Sequence, residues 1–153
     1  QRQMCIRDSF DMIDSRCLNM NKIELINLVG NLNLPLGEYS IGSTGSLVIR
    51  EILEHAGDLD LQLTEKCFEH IKNSGLKYHF KDEKHEYSHP LYTLDDFDVE
   101  FFVMPLEEIH FDYVDGYPCQ DVIDILEFKK QRNLPKDQEP IARIEAYLNS
   151  KRK

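Results

Sequence analysis

Four cysteines in 153 residues are too few and too scattered to carry a fold. Cys5, Cys17, Cys67 and Cys119 show neither the density of a disulfide framework nor metal-ligand spacing, and no Cys-x-x-Cys redox pair occurs. Cys67 and Cys119 are expected as ordinary reduced thiols. Basic residues are also scarce, 18 against 28 acids, for a formal charge of −10. That deficit disfavours a DNA- or RNA-binding surface and attraction to anionic membranes. No apolar run reaches the length of a membrane-spanning helix, and no charged-then-apolar secretory signal appears. The expectation is a cytoplasmic chain with no membrane partner. A phosphate-binding P-loop and a Gly-x-Ser-x-Gly elbow are missing too, so the hydrolase and redox classes gain no support.

Residues 1–9 stand apart. They can be reverse-translated as CAG CGT CAG ATG TGT ATA AGA GAC AGN, which resembles a transposase sequencing adaptor read as protein, and such segments carry no fold information. Residues 10–19 then read as translated upstream sequence with Met20 as the natural start, or as a truncated genuine segment. Residues 20–153 are expected to form one domain, long enough to bury a real core.

Along that domain, Asn21 with Glu24 three positions later forms a capping pattern. It opens a helix carrying Ile23, Leu25, Ile26, Leu28, Val29 and Leu32, which ends before Pro35 and Gly37. A second helix is predicted over 45–53. Thr64 is the expected N-cap of a third, which stops at Gly75. Segment 76–80 reads as a strand, 81–89 as a polar hairpin tip or loop, and 97–103 as the most apolar strand. Asp115-Gly116 marks a tight turn between 109–114 and a return at Tyr117. Two helices close the chain: 121–132, and one starting near Asp137 that buries Ile141, Ile144 and Leu148. Strands cluster in the middle and helices at the ends, which predicts an α+β fold, a mixed sheet covered by helices mainly on one side.

The chemistry concentrates in two short stretches, Ile41-Gly42-Ser43 and Asp58-Leu59-Asp60-Leu61. On a strand, residues i and i+2 share a face, so Asp58 and Asp60 project together while Leu59 and Leu61 face the core. Two carboxylates held roughly 6 Å apart repel by about 3 kcal/mol at an effective dielectric near 20. A divalent cation offsets that repulsion, and magnesium or manganese chooses carboxylate oxygens while leaving positions open for phosphate.

This order of motifs resembles the nucleotidyltransferase superfamily: antibiotic, minimal and abortive-infection-toxin nucleotidyltransferases. The family pattern is an apolar residue, Gly, and Gly or Ser, followed by two acids separated by one apolar residue; Ile41, Gly42, Ser43 and Asp58, Leu59, Asp60 match it. The acids of Asp98-Val99-Glu100-Phe101-Phe102-Val103 resemble the third carboxylate of the family, with Glu100 preferred and Asp98 open. Leu134-Pro135-Lys136-Asp137 resembles a Lys-Asp element before the last helix. The resemblance spans about 20–148. It implies transfer of a nucleoside monophosphate from an NTP such as ATP to an acceptor hydroxyl on a small molecule, RNA or protein. It also implies nucleotide phosphates against Gly42 and Ser43, Mg²⁺ or Mn²⁺ on Asp58, Asp60 and Glu100, and Glu100 as general base.

Plainer readings stand beside these. A solvated strand face explains Asp-Leu-Asp, a structural N-cap explains Asp137, and surface charge explains Lys136. Arg50 either reaches a phosphate or pairs with Glu51 or Glu54. His79, His85 and His89 fit no zinc-ligand pattern, and His55 reads as a loop residue. A second functional class is a binding or regulatory protein of a toxin-antitoxin type that keeps the fold without turnover. It is kept open by the long gap between Ser43 and Asp58, by the want of a clear nucleotide-base pocket in the sequence, and by the absence, within these residues, of a helical acceptor domain. A homodimer or a helical partner protein would fit either class.

Overall fold

The computed structural model describes residues 19–81 and 87–151. The adaptor-like segment, residues 10–18, Cys5, Cys17, His85 and the centre of the predicted polar loop lie outside the described residues. Helix α1 (Lys22–Leu32) opens on the predicted capping box: the Glu24 N–H donates to Asn21 Oδ1 at 2.9 Å and the Asn21 N–H to Glu24 Oε1 at 3.0 Å. Strand β1 (Tyr39–Gly42) runs straight into α2 (Ser43–Ile49). That helix ends earlier than the pattern suggested, because the Ile52 and Leu53 N–H groups both fold back onto the Leu47 carbonyl and Glu51 turns left-handed at φ 65°.

Next come β2 (Leu59–Leu63), α3 (Glu65–Asn73) capped by Thr64, and β3 (Tyr78–Phe80). Strand β4 (Leu91–Leu94) went unpredicted, being four residues long and preceded by proline. Strand β5 is Val99–Val103, two residues shorter at its start than expected. The hairpin of β6 (Phe111–Val114) and β7 (Tyr117–Gln120) turns at Asp115 and Gly116, both left-handed at φ 53° and 86° as a primed two-residue turn requires. Helix α4 (Val122–Arg132), a 3₁₀ turn and α5 (Gln138–Lys151) come last among the described residues.

The seven strands among the described residues form one mixed sheet in the order β3-β4-β5-β2-β1-β7-β6. At its centre β2 and β5 run parallel, β1 lies antiparallel to β2, and β7 runs parallel to β1. The alternating pattern of β2 and β5 does what period-two patterning demands. Leu59, Leu61, Leu63, Val99, Phe101 and Val103 are buried in one cluster with Leu25 and Leu28 of α1 and Phe68 and Ile71 of α3. A second, smaller cluster joins Leu47 of α2, Val122, Ile125 and Leu126 of α4, and Ile144 of α5. No described helix is long and apolar enough to cross a membrane.

The α4–α5 junction is fastened by a buried charge. Asp137 is fully buried and accepts from Arg132 Nε at 3.0 Å, Arg132 Nη2 at 2.5 Å and the Leu134 N–H at 3.0 Å. The buried Lys129 ammonium stands 3.7 Å away. Asp137 is therefore not the N-cap that its position suggested. It reaches back to cap the turn that begins after Leu134, and it serves as the counter-ion of Arg132. Those bonds, the Arg132 guanidinium foremost, hold its carboxyl down at about 2 against an ordinary 3.8.

A depressed carboxylate pKa adds stability above the unfolded value and loses it as pH falls through the folded one. Asp137→Asn should thus destabilise by about 2 kcal/mol at neutral pH. In urea melts the gap to wild type should close as pH falls from about 4 toward 2; a gap constant over that range would contradict this role.

Candidate metal centre

Register builds the site. In the parallel pair of β2 and β5, Asp60 stands opposite Glu100, and across the antiparallel pair Gly42 stands opposite Asp60. Adjacent strands lie about 4.8 Å apart, so these residues share one sheet face while their leucine and phenylalanine neighbours fill the other. Asp58 falls just before β2 rather than within it, yet its side chain still joins the group. One carboxylate oxygen each from Asp58, Asp60 and Glu100 lies within 4.8 Å of the others, and all three residues are half-buried. Asp98, the open alternative, is not part of this group.

Among the described residues, neither the Asp58 nor the Asp60 carboxylate takes a hydrogen bond or a salt bridge. Glu100 alone is paired, to the Lys81 ammonium. The electrostatic result is a strong preference for protons or cations. Burial, then the charges of Asp58 and Glu100, push Asp60 up to about 7, with Lys129 and Lys81 pulling the other way. Asp58 is raised by burial first and by Glu100 next. Crowded, partly desolvated carboxylates, two of them without a side-chain donor, are a hard-oxygen set of the kind Mg²⁺ or Mn²⁺ prefers.

The bend between β1 and α2 sits beside Asp60. Ser43 adopts a left-handed φ of 50°, and its N–H donates to Gln120 Oε1 at 2.8 Å. A Cβ on Gly42 would lie 3.1 Å from that same oxygen, so glycine makes room for the Gln120 side chain. Gln120 was missed by sequence reasoning; it arrives through the parallel pairing of β7 with β1, which no local pattern announces. A pocket of about 300 Å³ opens here. Its polar edge is Gly42, Ser43, Asp60 and Glu100, and its apolar wall includes Phe102, Ile125 and Phe128.

Other candidates resolve as structure. Arg50 pairs with neither Glu51 nor Glu54. Its nearly buried guanidinium bonds Asp112 and the carbonyls of Cys119 and Gln120, tying α2 to the β6–β7 hairpin. His79 pairs with Asp95 at 2.7 Å and His89 with Glu108 at 2.8 Å, so the described histidines do not converge on a zinc. His55 is exposed, as is Lys136, although the charge of Lys136 is felt by Asp58. Cys67 and Cys119 are free and buried.

No family model, curated protein or solved structure matches the chain.

An acid whose folded pKa is raised is most stabilising below its unfolded value and loses that contribution as pH climbs through the folded one. In EDTA, Asp60→Asn should therefore be more stable than wild type at pH 8, by about 1–3 kcal/mol. Thermal or urea melts should show the advantage shrinking as pH drops from about 7 toward 4, and a pH-independent difference would refute the assignment.

Proposed function

We propose that this chain is a metal-dependent nucleotidyltransferase of the superfamily its motifs resemble. The observation that carries the reading is the carboxylate trio, two of whose members lack any donor, set beside a glycine-serine bend and a pocket with one acidic edge and one apolar wall.

Asp58, Asp60 and Glu100 would hold a magnesium or manganese ion, which when bound supplies neutralisation of the triphosphate and of charge developing on the α-phosphoryl group. The small residues Gly42 and Ser43 let the nucleotide phosphates approach the backbone. Phe102, Ile125 and Phe128 offer the apolar contact that a base or an acceptor needs. Glu100 takes the proton of the acceptor hydroxyl. The acceptor oxygen then bonds the α-phosphorus, the bond from that phosphorus to the bridging oxygen breaks, and pyrophosphate departs with the electron pair. The partners are thus an NTP and a hydroxyl-bearing acceptor.

One observation favours the second class, a nucleotide-binding regulator without turnover. The Ser43 N–H, a natural phosphate donor, is already taken by Gln120. If that contact persists with nucleotide present, phosphate is held off the bend.

The test is to incubate the chain with Mg²⁺ and labelled NTPs and to follow label into the protein itself, RNA, aminoglycosides or lincosamides. Transfer is expected, with Asp58→Ala and Asp60→Ala each lowering it by at least about 100-fold. Magnesium-dependent nucleotide binding that Asp58→Ala abolishes, with no transfer to any acceptor, would select the regulatory class. Transfer indifferent to both substitutions would contradict the site.

A further inference from the structure

The acidic site already contains a cation of its own. Lys81 lies just past the end of β3, with its N–H on the Leu91 carbonyl of β4 at 2.8 Å. From that edge the side chain reaches over β4 to Glu100 on β5, and its charge is felt by Asp58 and Asp60 as well. Three ionised carboxylates against this one ammonium leave a formal charge of −2, the charge a divalent cation matches.

The other nearby cations are differently placed. Lys129 is buried 3.7 Å from Asp137, Arg132 is committed to the same aspartate, and Lys136 bonds none of the three carboxylates. Among the described residues only Lys81 bonds a member of the trio, and with nearly half of its side chain exposed it has room to leave. An ammonium and a divalent ion sharing one carboxylate repel each other, so occupancy by one works against the other.

We propose that Lys81 is the resident counter-ion of the carboxylate site and is exchanged off Glu100 when a divalent cation enters, which makes it the residue that sets how tightly the metal is held. The inference rests on the metal-centre reading above. Lys81 keeps Glu100 aligned with the aspartates before the metal arrives, and it makes metal binding weaker and more readily reversible than three bare carboxylates would.

The experiment is Mn²⁺ titration of the full chain, read by electron paramagnetic resonance of the free ion, on wild type, Lys81→Met, Lys81→Arg and Lys136→Met. Lys81→Met should bind Mn²⁺ about three- to tenfold more tightly, and Lys81→Arg, which keeps the charge, should stay near wild type. Lys136→Met should shift affinity by less than about twofold, since it holds no ligand oxygen. Wild-type binding with Lys81→Met unchanged or weaker overturns the exchange and leaves the metal centre standing, as does an equal gain in Lys136→Met, which would mean a general field effect. No Mn²⁺ uptake by any variant overturns the metal centre and the exchange together. Lys81 is solvent-accessible, and a melting curve for each variant verifies that the compared proteins are folded.

Discussion

Everything at this site depends on the register of one parallel strand pair. With β2 and β5 locked so that Asp60 faces Glu100, the hydrophobic alternates Leu59, Leu61, Leu63, Val99, Phe101 and Val103 fall on the opposite face and are buried. A slip of one residue would put acids into the core and leucines into solvent. The core thus enforces the carboxylate crowding even though the carboxylates themselves resist it. At separations under 5 Å each pair repels by about 3 kcal/mol at an effective dielectric near 20, and the packing of the leucine face withstands this. What remains is a site that packing holds together and whose crowded charge a cation would offset.

The surrounding charges have complementary tasks. Lys81 partly neutralises the trio from the sheet edge, and Lys129 acts on Asp60 from inside, its own charge disfavoured by burial. Lys129 is kept in place by Asp137, whose main partner is Arg132; this network also sets the end of α4 against the pocket. On the far side, Arg50 bridges α2 to the β6–β7 hairpin and so holds Gln120 near the Gly42–Ser43 bend. The charge balance of the trio and access to the bend are therefore coupled through a few side chains whose anchors lie outside the pocket.

Local signals in the sequence proved legible because their physics is local. The Asn21–Glu24 box, the Thr64 cap, the Asp115-Gly116 turn and the alternation around Asp60 each involve residues within a few positions of one another, and each is present as read. Asp58, Asp60 and Glu100, the acids some forty residues apart that motif order singles out, lie together: strand register sets Asp60 beside Glu100, while Asp58 joins them from the turn just before β2. Other features depend on long-range pairing, which no window of sequence displays. Gln120 comes to Ser43 only through β7 beside β1, and Lys81 to Glu100 only across β4, itself too short to announce itself. Asp137 looked like a cap because Lys-Asp before a helix commonly is one; its burial against Arg132 follows from the packing of α4 on α5. The early end of α2 is local by contrast: the Ile52 and Leu53 amides both turn back onto the Leu47 carbonyl, and no apolar periodicity signals that turn.

The claim that the trio is a cation cradle is tested most directly by diffraction from crystals soaked in Mn²⁺, collected at the manganese absorption edge. An anomalous peak is expected within bonding distance of oxygens from Asp58, Asp60 and Glu100, beside Gly42. A fully soaked crystal with no peak there, or with manganese bound only elsewhere, would contradict it.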